Sequence, residues 1–400
     1  MWREPTTYYA SQKARRFYRC VVVLGYKVAF SLLFPFQGLQ NNSAIEIFCI
    51  FEGQFDKVMT DNVTDILENE ILKRWPSVMA VLLKDRTTQN NIIWATDMYE
   101  KEYGSQYSFF EEITIEHITG EFGTVIKPRS VKSLEEQKYR IRDKAEVFTP
   151  SWVCNAQNNL IDNAWFGREN VFNKETIDEN GFHSWIPNDS KIEFDKASDW
   201  IKYVKDTRLE ITCGEAPYLA SRYDAITGQL IPIEKRIGLL DRKLRVVSEN
   251  TKDITKEMTT KQRKVVIRNW IRWAYRAMQS IYGFEWQGDN LLIARETLLY
   301  TFIDYYQAKF QTQKTPEITC LLKVAEIISW NLWQMDGLKY GIPGHTPKEH
   351  IQNNFEIAFE QEAAKPYDRY CRIMEWSNIV EPISGNVIPF ISMLKENNKK

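Results

Sequence analysis

The 400-residue sequence is short of the residues that build metal and redox centres. Its four histidines (His117, His183, His345, His350) are dispersed. Its six cysteines (Cys20, Cys49, Cys154, Cys213, Cys320, Cys371) form no Cys-x-x-Cys pair and have no near histidine partner. That spacing excludes a zinc site, and the chain reads as reduced, cytoplasmic and metal-free. It has no internal repeat, no low-complexity tract and no apolar run long enough to cross a bilayer. The most apolar stretch, residues 20–36, falls short of the roughly 20 residues a span needs and carries Lys27 near its centre. Lys13, Arg15 and Arg16 before it imitate a signal peptide, but a polar stretch follows where a small-residue cleavage site would stand. A buried strand-helix segment and an N-terminal extension are the readings left open for it. An excess of charge is missing too. With 52 basic and 53 acidic residues the net charge is −1, so any nucleic-acid binding must come from a local basic surface.

What is present is an ordinary globular composition, 44% hydrophobic and 26% charged with mean hydropathy −0.43, and enough chain for two or three domains. The apolar spacing predicts a helix over Ile66–Leu72. It then predicts strands over Val78–Leu83 and Ile92–Thr96, joined as a hairpin through the polar run Lys84–Asn91. Leu134–Lys144 reads as a charged connector at a domain boundary. The expected organisation is an N-terminal extension (1–59), a mixed α+β region (60–144), a motif-bearing domain (145–345) and a polar tail (346–400) that could contact a partner.

Four segments carry chemistry. In residues 207–220, TRLEITCGEAPYLA, a short strand ends in Glu210, followed by Cys213-Gly214 and a helix-like continuation; glycine there lets a ligand approach the backbone. In residues 281–299, IYGFEWQGDNLLIARETLL, a second strand ends in Glu285 and a helix follows with Leu291, Leu292, Leu298 and Leu299 inside. An acid so placed can take both hydroxyls of a ribose, and Trp286 beside it can stack on a purine. In residues 324–338, VAEIISWNLWQMDGL, a helix, a short strand and Asp336-Gly337 succeed one another, and Asp336 could accept from an exocyclic amine. In residues 145–165, AEVFTPSWVCNAQNNLIDNAW, Thr149 is placed to cap a helix with Pro150 at its first position and Phe148 just outside. Each segment alone also has a plain structural reading: a turn, a capping acid, a core tryptophan, a capped helix.

Taken in order, Phe-Thr-Pro, Leu-Glu-x-x-Cys-Gly, Gly-x-Glu and Asn-x-x-x-x-Asp-Gly-Leu resemble the amino-terminal half of adenine-specific DNA methyltransferases of restriction-modification systems. The run AEVFTPSWVCNAQNNLIDNAWFGR is similar to proteins labelled restriction endonuclease subunit M. The resemblance covers about residues 75–345. It implies an α/β fold with a Rossmann-like S-adenosylmethionine-dependent methyltransferase sheet and a mixed α+β N-terminal region. It would give Phe148, Thr149, Pro150, Glu210, Cys213 and Gly214 the methionine part of S-adenosylmethionine. Glu285 would take the ribose hydroxyls, Trp286 the adenine ring and Asp336 the adenine amine.

The sequence departs from that family in two ways. Glu210 and Glu285 lie 75 positions apart instead of the roughly 20 of a direct βαβ step, so an insertion is expected at about residues 221–278. The catalytic tetrapeptide Asn/Asp/Ser-Pro-Pro-aromatic is absent, since no two prolines adjoin and no asparagine precedes a proline. The sequence after His345 is also too short for a target-recognition domain. The catalytic residues are therefore unknown, and the expectation is one piece of a split enzyme acting on double-stranded DNA, without a membrane. A second protein chain would pair its strands beside the third acid and bring the catalytic loop and the recognition domain. Within the insertion, Lys264, Arg268, Arg272 and Arg276 recur every four residues on one helical face, with Val266, Trp270, Trp273 and Ala277 on another. They are either a row of DNA phosphate contacts or a solvated face, and YRIRDK (139–144) is a second basic candidate. The alternative function is a non-catalytic Rossmann-like scaffold for a nuclease or DNA-recognition partner; a nuclease finds no PD-(D/E)xK spacing.

Overall fold

The computed structural model describes residues 21–23, 68–132, 137, 140, 149–347, 365–367, 370–377 and 384–395. In chain order the principal elements are β1 (Val21–Val23), α1 (Glu68–Arg74), α2 (Pro76–Leu82), α3 (Ser151–Phe166), the hairpin β2 (Asn173–Ile177) and β3 (His183–Pro187), α4 (Asp199–Lys205) and β4 (Arg208–Ile211). There follow α5 (Leu239–Asn250), α6 (Thr260–Gln279), β5 (Ile281–Glu285), α7 (Gly288–Phe310), α8 (Ile318–Asn331) and β6 (Leu332–Gln334). Two short pairs, β7 (His345–Pro347) with β8 (Lys365–Tyr367) and β9 (Arg372–Trp376) with β10 (Gly385–Pro389), complete the set.

The architecture is α/β. A parallel sheet runs in the order β1-β4-β5-β6, with Leu209 opposite Tyr282 and Glu285 opposite Gln334. All five residues of β5 are buried, as expected of an inner parallel strand covered on both faces. Helices connect the strands: α5 and α6 between β4 and β5, then α7 and α8 between β5 and β6. The outward carbonyls of β6 are engaged within the chain, Leu332 O by Arg295 and Gln334 O by the Cys371 thiol. A continuous core joins Ile71, Val78 and Trp94 to Leu291, Leu298 and Phe302 of α7, so residues on both sides of the charged connector share it. A smaller cluster of Phe284, Trp333, Ile373 and Phe390 lies under the β9–β10 hairpin. Among the described residues no helix is long and apolar enough to cross a membrane.

Two expectations about local structure are corrected. Residues 78–83 are not a strand but lie largely in α2, which starts at Pro76 and buries Val78, Met79 and Leu82. Pro at the first turn and apolar spacing of one and three residues suit a helix packed on one side, whereas a short apolar run before a polar turn does not by itself distinguish a strand from a helix. The polar turn after it is present: Asp85 N–H donates to Asn90 O and Ile92 N–H to Leu83 O. Nor does a helix follow Gly214. Residues 213–220 are turns, and the next α-helix begins at Leu239, whose N–H donates back to Tyr218 O. The stretch expected as an insertion supplies both helices of the β4–β5 crossover.

Candidate functional site

Ligands of open parallel sheets bind outside the carboxyl ends of the strands, and there the predicted acids fall. The turn after β4 is tightly wound: Thr212 (φ 48°), Gly214 (φ 54°) and Ala216 (φ 61°) all adopt left-handed backbone. Two of the three carry side chains, and such strain persists only where surrounding contacts enforce it. Those contacts come from β5. Cys213 N–H donates to Phe284 O at 2.9 Å, and Gly214 N–H donates to Glu285 Oε2 at 2.8 Å. The other carboxylate oxygen of Glu285 accepts Gln287 N–H at 3.2 Å. Glu285 thus clasps the tips of two adjacent parallel strands, while a Cβ built on Gly214 would meet nothing within 4 Å. Space is open above that glycine.

Glu210 stands behind this joint, 3% exposed, with its carboxylate accepting Leu219 N–H at 3.2 Å. Burial raises its pKa well above the usual carboxylate range; the backbone hydrogen bonds of Tyr218 and Leu219 oppose that rise and the charge of Glu285 adds to it. Its work is to pin the 218–219 backbone. Asp336 follows β6 and caps its own turn, Oδ1 accepting from Leu338 N–H at 2.8 Å and Lys339 N–H at 3.1 Å. Met335 N–H donates to Glu285 O, so the third acid lies beside the second in the sheet.

Trp286 is half-buried. Its indole N–H donates to Ala95 O at 3.0 Å and its ring meets Phe109 edge-on at 6.2 Å. Residues 93–95, which sequence reasoning placed in a separate region, therefore form one wall of the site. Gln334 brackets Ile93, accepting its N–H at 2.9 Å and donating to its carbonyl at 2.8 Å, and also donates to Trp286 O. Gly288 N–H donates to Trp94 O, and an added Cβ at Gly288 would lie 2.1 Å from Ile93 O. No motif marks Ile93–Ala95; the only signal was the Gly after Trp286-Gln287, which a close backbone approach requires.

Below that wall, Asp289 in the first turn of α7 is fully buried. It accepts from Tyr99 Oη at 2.6 Å, pairs with Arg140 and faces Lys132 Nζ at 3.6 Å. Burial alone would raise its pKa, but the two cations and the tyrosine hydroxyl outweigh burial and hold it well below the carboxylate range. Arg140, from the expected basic segment 139–144, is therefore an internal counter-ion, 1% exposed.

The helix expected at Thr149 starts one residue later. Pro150 is the N-cap, Ser151 the first helical residue, and the cap is supplied from elsewhere: Asp224 Oδ2 accepts Ser151 N–H at 3.1 Å. Thr149 is buried, and its carbonyl accepts from the Cys154 thiol of α3 at 3.7 Å. Phe148 lies outside the described residues. The basic row is also shorter than expected. Lys264, Arg268 and Arg272 are exposed, but Arg276 is 5% exposed and donates to Gln279 Oε1 at 2.9 Å and Ser377 O at 2.5 Å. It tethers the end of β9 to α6 because the helix there turns that face against the sheet.

The structure thus brings Cys213, Gly214 and Glu285 together, with Glu210 behind them, Asp336 alongside, Trp286 next in the chain against the 93–95 wall and Thr149 at the start of α3. Among the described residues no cluster of His, Cys, Asp or Glu could hold a metal ion. Compared with protein-family models, with curated proteins and with solved structures, the chain matches none.

Proposed function

We propose that this chain is the S-adenosylmethionine-binding subunit of a DNA adenine-N6 methyltransferase of a restriction-modification or phage-defence system, completed by a second chain. The observation that carries the reading is the clasp between Glu285 and the Gly214 turn. A buried carboxylate at one strand end stands over an open glycine turn on the adjacent strand, the arrangement that receives a nucleoside at such an edge. The donor set fits the group: Glu285 for two ribose hydroxyls, the fixed face of Trp286 for a purine, and left-handed turn amides near the polar end.

S-adenosylmethionine would supply an electrophilic methyl on a sulfonium for the amine of the target adenine, which would lose a proton while the thioether S-adenosylhomocysteine departs. This chain's residues orient and shield. Glu285 would exchange backbone amides for ribose hydroxyls, Trp286 is held by Ala95 O, and Asp336 would accept from the exocyclic amine of the cofactor's own adenine. The aromatic-flanked loop that would hold the target base belongs to the second chain. The absence of Asn-Pro-Pro-aromatic favours the second reading, a cofactor-binding scaffold without catalysis of its own.

Calorimetric titration of S-adenosylmethionine into the full chain tests the site. Losing a charged acceptor for ribose hydroxyls costs about 1.5–3 kcal/mol per bond, so Glu285→Ala should weaken binding at least about tenfold. Saturable binding that Glu285→Ala leaves intact would refute the assignment. Titration with the neighbouring gene product present, followed by methyl transfer to duplex DNA, separates the two readings.

A further inference from the structure

We propose that the outer face of α6, with the end of α4, is an anchor for the phosphate backbone of duplex DNA, separate from the Glu285 edge. The ligand class rests on the function proposed above; the surface itself does not.

Helix α6 carries six cations (Lys261, Arg263, Lys264, Arg268, Arg272, Arg276) and no carboxylate over its 20 residues, in a chain whose charges balance. Two of the six have internal work. Arg276 is the β9 tether, and Arg263 closes the preceding loop by donating to Met258 O, Thr255 O and Lys256 O. Lys261, Lys264, Arg268 and Arg272 are exposed, with no ion pair to any described residue. A merely solvated helix face gains from Glu–Lys pairs four residues apart, and like charges at that spacing weaken the helix. Here Lys264, Arg268, Arg272 and Arg276 follow one another at that unfavourable spacing, and an anionic ligand is what relieves it.

The opposite face, Val266, Trp270, Ala274 and Tyr275, is buried, so the cations are turned outward as a row. At its lower end Trp273 is half-buried, edge-on to Trp200 at 4.7 Å, with Arg272 at 6.0 Å and Lys205 at 5.9 Å from its ring. Rings so placed restrain the cations beside them. From Lys264 to Arg272 the helix rises about 12 Å, enough for three or four phosphates of one strand at about 3.4 Å each along the duplex axis. Because α6 ends at Gln279 and β5 begins at Ile281, the Trp273 end lies by the strands' amino ends, away from Glu285. The anchor therefore acts on DNA affinity and leaves the cofactor site alone.

The test is fluorescence anisotropy of a labelled 20-base-pair duplex with the full chain, from 50 to 200 mM salt. Wild type is compared with Lys264→Gln/Arg268→Gln/Arg272→Gln, with S-adenosylmethionine titrated into both. The triple variant should lose about 2.7 from the slope of log affinity against log salt, about 0.9 for each lost phosphate contact. It should bind at least about tenfold more weakly near 100 mM salt while matching the wild type in melting temperature and in its response to S-adenosylmethionine. Arg276→Gln should lower the melting temperature and leave the slope unchanged. Wild type that ignores the duplex at 50 mM salt, or a triple variant with an unchanged slope, overturns the proposal. So does displacement by polyglutamate at equal charge, which would assign the face to an acidic protein. Failure of S-adenosylmethionine to bind would sink the cofactor reading while leaving the DNA result to stand or fall alone.

Discussion

Asp289→Asn is the sharpest probe of how the site is held. The carboxylate is fully buried, pairs with Arg140 and Lys132, and accepts from Tyr99 Oη at 2.6 Å. Asparagine keeps the shape and one acceptor oxygen but leaves two cations facing each other in the interior. Removing one partner of a buried pair costs about 3–5 kcal/mol. For a 400-residue chain unfolding as one unit, entropy scaling puts each kcal/mol at about 1.2 °C, so the melting point should fall by about 4–6 °C at pH 7. The pH dependence has a definite sign. The folded pKa is depressed, so the contribution is fully present above the unfolded carboxylate value of about 4. It is lost as pH falls through the folded value. Thermal unfolding at pH 7.5, 5 and 3 should therefore show a constant gap at the first two and a smaller one at the third. Adding Arg140→Leu to Asp289→Asn should recover part of the loss, because the uncompensated charge goes with it. A single variant melting within about 1 °C of wild type at pH 7.5 would refute the ion-pair argument.

Two further substitutions test neighbouring parts. Gly288→Ala places a Cβ 2.1 Å from Ile93 O, backbone against backbone, and should cost about 3 kcal/mol or more and quench-shift the Trp286 fluorescence; a wild-type melting curve would mean that the 93–95 wall is not where the structure puts it. Glu210→Gln tests the buried acid. A raised pKa means that the folded chain keeps a proton the unfolded chain releases, so Glu210 costs stability as pH rises from the ordinary carboxylate range toward its raised value. Glutamine should accordingly be as stable as wild type near pH 5 and more stable near pH 8. Destabilisation that grows with pH would contradict the burial argument.

Parts of this were legible in the sequence because local chemistry and tertiary context agree. Strand, acid and following helix at Ile281–Leu299 read correctly: a short apolar run, an acid and then buried leucines leave little choice once both sheet faces are covered. The same holds for the helix, strand and Asp-Gly turn around Asp336, whose carboxylate does what Asp-Gly usually does. The misreadings are non-local. Thr149 is expected as the cap, but the capping carboxylate is that of Asp224, 73 residues beyond the Ser151 N–H it accepts. Arg276 continued a perfect four-residue row, yet the carbonyl of Ser377 claims it. Val78–Leu83 is a continuous apolar run before a polar turn, which a buried strand and a buried helix share, and packing of α2 against α8 decides for helix. The wall at Ile93–Ala95 had no motif at all, since it works through backbone groups any residue supplies.

The sheet edges bear on how a second chain could complete the site. Pairing beside the third acid requires the free carbonyls of β6, but Leu332 O and Gln334 O are held by Arg295 and Cys371. Arg295 is fully buried and also bonds Leu82 O, Lys84 O and Ser329 O. Burial lowers its pKa to about 9, and it is the joint that locks α2, α7 and α8 onto β6. An added strand would have to displace that joint and leave a guanidinium buried without partners, at a cost of several kcal/mol. The other edge of the three motif strands carries β1. A completing chain on this reading approaches across the carboxyl ends of the strands, over Gly214, Trp286 and the exposed Leu338, and contributes a loop without extending the sheet. Leu338→Asp, a surface change that should leave the isolated chain's stability within about 0.5 kcal/mol, is then expected to weaken the partner's binding in a pull-down with the neighbouring gene product. Retained binding would return the contact to a sheet edge.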